Sequence, residues 1–335
     1  MAHSKRILVN GFGRVGRALF RILEGRKGLE VAAINDPLPA DQLAYLLKYD
    51  TVMGRLGADV RVDEGCLCVN GRRIVLSHCE RLSAREVDGC DLVVNSSGRN
   101  NTRENLEDIL NHGAKRVFIS KPLAPGVGDR TILMGVNAGD LKAEDRIISG
   151  GSCTAHCYTP LLKVIHKRWA IRRGYMMTVH AYTSAQNIVD GGHEKDARRG
   201  RAGAQNIVPT TTESLVSFDQ VMPELAGRIT GMAQRVPVVN GSNVELILEL
   251  EGNAGVNEIN EHVRAAAEGE YKGIVEYSTD PLVSSDVIGN PHSSVYDSRL
   301  THVAPDGGTA LARVVAWYDN EWGYANRLAE LIAAS

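Results

Sequence analysis

A glycine-rich turn near the amino terminus constrains the fold more than any other feature of this 335-residue chain. The segment NGFGRVGR places Gly11, Gly13 and Gly16 between an apolar run and a stretch with helical periodicity. Asp36 follows the last of these glycines by 20 residues, at the end of the next apolar run. Strand, glycine turn, helix and acidic residue in this order form the dinucleotide-binding fingerprint. The glycines alone could serve packing in a plain strand–helix turn, but the four features together favour a bound dinucleotide.

The pattern that follows the turn indicates two α/β domains. Apolar runs alternate with helical stretches as far as about residue 150, which predicts a Rossmann-type, doubly wound parallel sheet. In one of these helices, Asn101 and Glu104 have capping-box spacing. After residue 152 longer β-type runs dominate, which predicts an α+β domain with a mixed, largely antiparallel sheet. We expect domains at 1–152 and 153–318, with a helix at about 319–335 that packs back on the first.

The composition excludes several classes of partner. A net charge of −2 gives no electrostatic reason to bind nucleic acid or an anionic membrane. The amino terminus lacks the features of a signal peptide, and no window has the length and apolarity of a membrane span. Six cysteines are too sparse for a secreted disulfide framework, and two of them lie in a predicted hairpin that turns at Asn70-Gly71. We therefore expect a cytoplasmic protein with no nucleic-acid or membrane partner.

The segment SGGSCTAHCYTP contains two cysteines of different expected roles. Ser152 suits an N-cap, so Cys153 would lie in the first helical turn, where the helix dipole and unpaired N–H groups would lower the pKa of its thiol. Cys157 lies one turn further; since no comparable ligand cluster occurs elsewhere, we expect a buried structural cysteine and no metal site. His180 ends a β-type run and is the candidate base for thiolate attack on an aldehyde. Taken alone, a strand histidine is more often a core residue.

The motifs NGFGRVGR, INDP, SCTAHC, TVHAYTSAQ, ITGMAQRVPV and WYDNEWGYANR extend along the whole chain. In this order they resemble the phosphorylating glyceraldehyde-3-phosphate dehydrogenase family. The resemblance implies NAD-dependent oxidation of an aldehyde phosphate, first of all D-glyceraldehyde 3-phosphate, through a thioester that inorganic phosphate releases as 1,3-bisphosphoglycerate. Cys153 would be the nucleophile and His180 the base. The family is usually homotetrameric, and the basic segment 195–201 would then lie at a subunit interface rather than bind RNA.

The resemblance also assigns binding residues. The cofactor set consists of Gly11, Phe12, Gly13, Arg14, Val15 and Gly16 in the glycine turn, with Asp36, Ser97, Ser120 and Asn320. Asp36 would accept hydrogen bonds from the adenosine ribose and repel a 2′-phosphate, so NAD is favoured over NADP, and Asn320 would bind the nicotinamide carboxamide. Two anion sites carry over: Thr183 and Arg235 for the substrate phosphate, and Ser152, Thr154 and Thr212 for the attacking phosphate.

The chain departs from the family pattern at several positions. His156 replaces an asparagine, and Glu213 replaces a glycine beside the expected phosphate site. A carboxylate there would disfavour a dianion, so deacylation by water, as in erythrose-4-phosphate dehydrogenases, is a second hypothesis. Lys121 would add a cation near the adenine, and Gly191 and Gly192 replace bulkier residues, which could relax discrimination against NADP. A third hypothesis, a binding protein that has lost activity, is opposed by the intact candidate residues.

Overall fold

The computed structural model describes residues 4–194, 196–306 and 309–335, which divide into two units. Unit 1 contains the described residues up to 132, with 137–151 and 325–335, and unit 2 contains 133–136 and 152–324. Each unit has its own sheet. The predicted fold class is confirmed: one sheet is of the Rossmann type and the other is mixed.

Unit 1 is built on a largely parallel sheet. Its strands are Lys5–Asn10 (β1), Leu29–Asn35 (β2), Val60–Asp63 (β3), Cys66–Val69 (β4), Arg72–Ser77 (β5), Leu92–Asn95 (β6), Arg116–Ile119 (β7), Arg130–Thr131 (β8) and Ile147–Ser149 (β9). Among the described residues they lie in the order β3-β4-β5-β2-β1-β6-β7-β9-β8. The pairs from β5 to β8 are parallel, whereas β3, β4 and β5 form an antiparallel meander. The strand order reverses between β1 and β6, which is the switch point where such sheets bind ligands.

The helices of unit 1 are Arg14–Leu23 (α1), Ala40–Lys48 (α2), Ala84–Val87 (α3) and Arg103–Asn111 (α4). The predicted hairpin is confirmed: Asn70 and Gly71 join β4 to β5, both with positive φ, as a type I′ turn requires. The predicted cap of α4 is wrong by one residue. Thr102, not Asn101, caps this helix by accepting the N–H of Asn105, because the Asn101 side chain instead accepts a hydrogen bond from Asn95.

Unit 2 combines a mixed sheet with three packed helices. Its strands are Ile171–Ala181 (β10), Val208–Thr210 (β11), Ile229–Val236 (β12), Ser242–Glu251 (β13), Val275–Ser278 (β14), Ser294–Asp297 (β15), His302–Asp306 (β16) and Thr309–Tyr318 (β17). The helices are Cys153–Trp169 (α5), Ser214–Val221 (α6) and Val256–Glu268 (α7). In the described chain the strand order is β11-β12-β10-β13-β17-β15-β14, with β16 beside β17. Among the strands of unit 2 that the structure describes, only β10–β12 and β14–β15 pair in parallel.

Burial in unit 2 follows from sequence periodicity. Alternate residues of β13 are buried, from Ser242 through Leu250, and its apolar members share one core cluster with the inner face of α5. Ser152 caps α5, as predicted, by accepting the N–H of Ala155 at 3.0 Å. A last helix, Trp322–Ala334 (α8), begins in unit 2 and belongs to unit 1 from residue 325 onward. None of the helices within the described ranges combines the length and apolarity that a bilayer crossing requires.

Candidate active site

Four candidate cofactor residues lie at one edge of the unit 1 sheet. Gly11, Asp36, Ser97 and Ser120 follow the carboxyl ends of β1, β2, β6 and β7, respectively. Because parallel strands all end at the same edge, the fold brings these residues together at the switch point. The crevice at this edge is the place where an α/β sheet can hold a dinucleotide.

The three glycines of the turn differ in how closely other atoms approach the position that a Cβ would occupy. Gly11 has φ +94°, and a Cβ there would lie 2.4 Å from the Ser97 nitrogen. A Cβ on Gly16 would lie 2.3 Å from the Gly11 oxygen, so this glycine is required for packing of the helix on the strand. A Cβ on Gly13 would meet no protein atom within 4 Å. Gly13 therefore leaves open space before the start of α1, where a helix N-terminus can bind a pyrophosphate.

Buried asparagines hold the carboxyl ends of the central strands, and sequence reasoning missed them. Asn35 donates to the Asn10 side chain at 2.8 Å, and Asn10 donates to the Asn95 side chain at 3.1 Å. Ser97 donates to the same Asn95 oxygen at 2.7 Å. The common signal in the sequence is an asparagine as the last residue of each of three apolar strands.

Asp36 is buried and joins the ends of two loops. One carboxylate oxygen accepts the N–H of Phe12 at 2.8 Å, and the other accepts the N–H of Leu38 at 3.0 Å. The carboxylate thus connects the glycine turn to the end of β2. Each carboxylate oxygen has a second lone pair, so the group keeps capacity to accept ribose hydroxyls.

Cys153 and His180 are brought together in unit 2. Cys153 is the first residue of α5, and its Sγ lies 3.6 Å from Nε2 of His180, the next-to-last residue of β10. The His180 Nδ1–H donates to the Ala181 carbonyl at 2.7 Å. A carbonyl can only accept, so Nδ1 carries the proton and the unprotonated Nε2 faces the sulfur. A thiol beside a neutral imidazole can transfer its proton as it attacks a carbonyl carbon.

The expected lowering of the Cys153 pKa is wrong for the free protein. Burial raises the pKa of the Cys153 thiol, and the Arg235 guanidinium, the Thr154 hydroxyl and nearby backbone N–H groups oppose this only in part. Burial, with the Arg235 charge, also lowers the pKa of His180 to about 3. The helix start acts in the predicted direction, but desolvation by the surrounding strands outweighs it. The pair is therefore a thiol and a neutral imidazole near pH 7.

Arg235 lies beside His180 because β10 and β12 run parallel with these two residues in register. One of its Nη atoms donates to the Ala181 carbonyl at 3.3 Å. Its Nε is enclosed and has no hydrogen-bond partner among the described residues. Burial lowers the pKa of Arg235, and Arg199 lowers it further by repulsion. A half-buried guanidinium with an enclosed, unused donor is suited to bind an anion.

Of the other candidate anion groups, Ser152 and Thr154 lie at the start of α5, whereas Thr183 and Thr212 lie on the loops that follow β10 and β11. Thr183 donates its hydroxyl proton to the Gln186 side chain at 3.2 Å. Thr212 donates to the Ser214 hydroxyl at 2.9 Å, and exposed Glu213 between them is the N-cap residue of α6. Arg199 donates to the carbonyl and hydroxyl of Thr211. The sequence predicted only that Arg199 belongs to a basic interface segment. The structure adds that its charge acts on Arg235.

A hydrogen-bond chain orients Asn320. The Ala181 N–H donates to the Ser242 hydroxyl at 3.1 Å, and this hydroxyl donates to Oδ1 of Asn320 at 2.9 Å. Because Oδ1 is held as an acceptor, the NH₂ of this buried amide is the group left to bind a ligand carbonyl. Ser242 was missed by sequence reasoning, since nothing local distinguishes it from any other buried strand serine.

His156 has a structural hydrogen bond of its own. It is buried, its Nδ1–H donates to the Ser152 carbonyl at 3.0 Å, and its ring meets the Tyr324 ring edge-on.

Cys157 is fully buried, and burial raises the pKa of its thiol. In the described part of the chain, no three His, Cys, Asp or Glu side chains form a group that could hold a metal ion.

The remaining departures from the family pattern lie on surface loops. Lys121 is half-buried, and its carbonyl accepts the Ser149 hydroxyl. Gly191 and Gly192 are exposed, and a Cβ on Gly192 would meet nothing within 4 Å. In the basic segment, Arg201 pairs with an aspartate at 2.9 Å, and Lys195 lies outside the described residues.

Comparison with known proteins connects both units to one family. The model "Glyceraldehyde 3-phosphate dehydrogenase, NAD binding domain" matches residues 5–103, and the corresponding "C-terminal domain" model matches residues 152–320. A glyceraldehyde-3-phosphate dehydrogenase of Geobacillus stearothermophilus is 47% identical over 97% of this chain and 96% of the relative. Relatives of the same name from Mycobacterium tuberculosis and Mycolicibacterium smegmatis are 44% and 43% identical over 98% of this chain and 97% of each relative.

Proposed function

The chain belongs to the glyceraldehyde-3-phosphate dehydrogenase family, and we propose that it oxidises D-glyceraldehyde 3-phosphate with NAD and phosphate to 1,3-bisphosphoglycerate. The observation that carries this proposal is the Cys153 sulfur 3.6 Å from the unprotonated Nε2 of His180, beside the half-buried Arg235, whose Nε is enclosed. A nucleophile, a base and an anion-binding group then surround the same aldehyde phosphate.

Cys153 is the nucleophile in this proposal. Its sulfur attacks the aldehyde carbon as the thiol proton passes to Nε2 of His180. The N–H groups at the start of α5, which have no helical acceptor, stabilise the oxygen that becomes negative, and the imidazolium then returns the proton to this oxygen to give the hemithioacetal hydroxyl. His180 removes the proton of the resulting hemithioacetal hydroxyl through Nε2. Its low pKa keeps the ring available as a base throughout the neutral range, although a base so weak relies on its position next to the reacting group.

The edge of the unit 1 sheet fits a dinucleotide, and NAD is the proposed cofactor. In unit 1, Gly13 leaves the space that a pyrophosphate needs, and Asp36 has a carboxylate that can bind a ribose. In unit 2, the amide of Asn320 has an NH₂ that can bind a carboxamide. Phe12, Arg14, Val15, Ser97 and Ser120 complete the proposed set. The chemistry that bound NAD supplies is acceptance of a hydride from the substrate carbon, which leaves a thioester on Cys153. Gly191 and Gly192 make a parallel test with NADP worthwhile.

Two groups of anion-binding residues are proposed. Arg235 and Thr183 bind the substrate phosphate, and the unpartnered Nε of Arg235 supports this. Ser152, Thr154 and Thr212 lie near the attacking phosphate, and Arg199 adds a second guanidinium whose charge acts on Arg235. Guanidinium groups bind phosphate through paired, charge-assisted hydrogen bonds.

The family also supports proposals about organisation. Residues 1–152 with the carboxy-terminal helix form the NAD-binding domain, and residues 153–318 form the catalytic and oligomerisation domain. We expect a homotetramer in the cytoplasm, with no nucleic-acid partner. Chromatography with light scattering would measure the oligomeric state directly.

Hydrolytic deacylation is a second candidate, and the position of Glu213 favours it. This exposed carboxylate occupies the N-cap of α6, directly after Thr212, where a glycine N–H is expected in the family. A negative charge beside a dianion site raises the cost of binding phosphate. Water would then release the acid from Cys153, as in erythrose-4-phosphate dehydrogenases.

One experiment separates these candidates. Glyceraldehyde 3-phosphate and erythrose 4-phosphate are supplied in turn with NAD, and NADH absorbance and products are followed with and without phosphate. Strict phosphate dependence with an acyl-phosphate product supports the first candidate, and phosphate-independent release of a free acid supports the second. The Glu213→Gly variant should increase phosphate dependence if the carboxylate is responsible. Failure of Cys153 to acylate with either aldehyde would contradict both candidates.

A further inference from the structure

The side chain of Asn95 connects the end of β6 to the loop that follows this strand. Its Nδ2 donates to the Arg99 carbonyl at 3.1 Å and to Oδ1 of Asn101 at 3.0 Å. Its Oδ1 accepts from the Ser97 hydroxyl at 2.7 Å and from the Asn10 side chain at 3.1 Å. Asn95 is 1% exposed, and both of its N–H donors and both lone pairs of its oxygen are used inside unit 1.

Two backbone carbonyls fix the orientation of this amide. A carbonyl can only accept, so the NH₂ of Asn95 must face Arg99, and its oxygen must face β1. On the other side of β1, Asn35 donates to the Cys79 carbonyl at 2.9 Å. The same NH₂ donates to the oxygen of Asn10, which leaves the Asn10 NH₂ to face Asn95. Both ends therefore require the same direction, and a flipped Asn95 amide would place oxygen against oxygen.

The fixed amide determines what Ser97 can offer to a ligand. The single hydroxyl proton of Ser97 has two acceptors, the Asn95 oxygen at 2.7 Å and the Arg99 carbonyl at 3.3 Å. Either acceptor directs this proton into the protein, and the Arg99 N–H uses one lone pair of the hydroxyl at 3.2 Å. Exposed Ser97 is left with one lone pair. A lone pair suits a hydroxyl donor, such as that of a ribose, and repels a phosphate oxygen.

The start of the same loop packs against the glycine turn. A Cβ on Gly11 would lie 2.4 Å from the Ser97 nitrogen, so the two backbones are in close contact. The Ser96 hydroxyl donates to the Gly11 carbonyl at 2.6 Å. A shift of residues 96–97 would therefore change the space beside the turn, where the dinucleotide is proposed to bind.

We propose that Asn95 is a positioning residue for NAD. It holds residues 97–101 beside the glycine turn and fixes the Ser97 hydroxyl as an acceptor for a ribose hydroxyl. The inference rests on the proposed binding of NAD at this edge of the sheet, and it adds a residue that the proposed cofactor set does not contain. Because Asn95 is enclosed by protein, it acts on NAD through Ser97 and the loop.

Calorimetric titration of the full chain with NAD, without aldehyde, tests this role. Ser97→Ala removes one hydrogen bond to the cofactor and should weaken NAD binding about fivefold. Asn95→Leu keeps a similar volume but removes the bonds that hold the loop, and it should weaken NAD binding about tenfold. The double variant should bind NAD as weakly as Asn95→Leu alone, because a hydroxyl that is no longer positioned contributes nothing.

The double variant also shows which result would overturn the proposal. Independent effects would multiply to about fiftyfold, and a residue with only a structural role would leave the NAD affinity of the folded Asn95→Leu protein unchanged. Either outcome overturns the proposal. If Asn95→Leu does not fold, Asn95→Ser enters the same cycle, since its shorter side chain leaves a polar atom for Asn10 but cannot hold the loop.

Asn260→Leu is the matched control. Asn260 in α7 also donates to a backbone carbonyl, that of Ser298, and accepts two hydroxyls, those of Tyr296 and Thr301. Its loss should lower the stability measured by urea unfolding and leave the affinity for NAD unchanged. A comparable loss of NAD affinity in this control would show that general destabilisation, rather than positioning by Asn95, weakens binding.

The titration separates this inference from the proposed function. If the wild type does not bind NAD, the proposed cofactor site and this inference are both wrong. If the wild type binds NAD and the variants behave as expected, but no aldehyde phosphate is oxidised, the proposed reaction is wrong and this inference stands.

Discussion

Protonation of His180 is the perturbation that tests the site most directly. Lowering the pH from 7 to 5 would charge an exposed imidazole, but His180 is only 5% exposed and its pKa is lowered to about 3 by burial and by Arg235. The ring should therefore stay neutral at pH 5 in the folded protein. In the unfolded chain the same ring has its ordinary pKa of 6.5 and takes up a proton.

The sign and size of the effect on stability follow from this difference. Because the folded-state pKa lies below the unfolded value, the unfolded chain binds the proton first as the pH falls. The contribution of His180 to stability is complete above pH 6.5 and is lost as the pH falls from 6.5 toward 3. Between pH 7 and pH 5 the loss amounts to about 2 kcal/mol, nearly independent of the folded pKa as long as that pKa stays below about 4.

Urea unfolding of wild type and His180→Asn, at pH 7 and pH 5 and at one protein concentration, measures this loss. Wild type should lose about 2 kcal/mol more than the variant between the two pH values, since every other titrating group is common to both. His302→Asn removes an exposed histidine and is the matched control; its loss should equal that of the wild type.

Equal losses in wild type and His180→Asn would refute the reasoning. The imidazole would then protonate near its ordinary pKa, and an imidazolium would face the Cys153 sulfur at pH 5. The assignment of His180 as a neutral, Nδ1-protonated base in the resting site would then be wrong. If the prediction holds, an acidic limb of activity between pH 5 and pH 7 must come from a group other than His180.

Three further predictions use matched changes in the two units. Gly16→Ala should destabilise the fold by about 1–3 kcal/mol, because its Cβ would lie 2.3 Å from a backbone oxygen. Gly13→Ala should leave thermal stability unchanged and weaken NAD binding measured by calorimetry. Equal effects of the two variants would contradict the assignment of open space at Gly13. Arg235→Leu should raise KM for the aldehyde phosphate about ten- to hundredfold in steady-state assays, while KM for NAD stays near wild type. An unchanged KM for the aldehyde phosphate would show that Arg235 does not bind the substrate phosphate. Ser242→Ala should weaken NAD binding about fivefold in a fluorescence titration, because Asn320 loses the hydroxyl donor that holds its amide. An unaltered affinity would show that the orientation of the Asn320 amide does not contribute to NAD binding.

Local patterns predicted much of the fold and the candidate residues. The glycine turn, the alternation in β13 and the cap at Ser152 each depend on residues close together in the chain, so a single sequence reveals them. The N-cap of α4 was missed by one residue because the side chain of Asn101 bonds to Asn95 rather than to its own helix. Even a prediction from neighbouring residues is wrong when the side chain forms a hydrogen bond with a different partner.

The chemical state of the site was decided only by tertiary structure. The sequence by itself determined which residues could be nucleophile, base and cofactor turn, because position next to a glycine turn or a helix start is a local property. It could not determine that burial raises the pKa of Cys153, or which strand carbonyl selects the tautomer of His180. Those properties depend on the desolvation and hydrogen bonds supplied by β10, β12, β13 and β17. Of these, β12, β13 and β17 lie far from α5 in the chain and come near it only in the folded unit; even in β10, which begins directly after α5, His180 follows Cys153 by 27 residues.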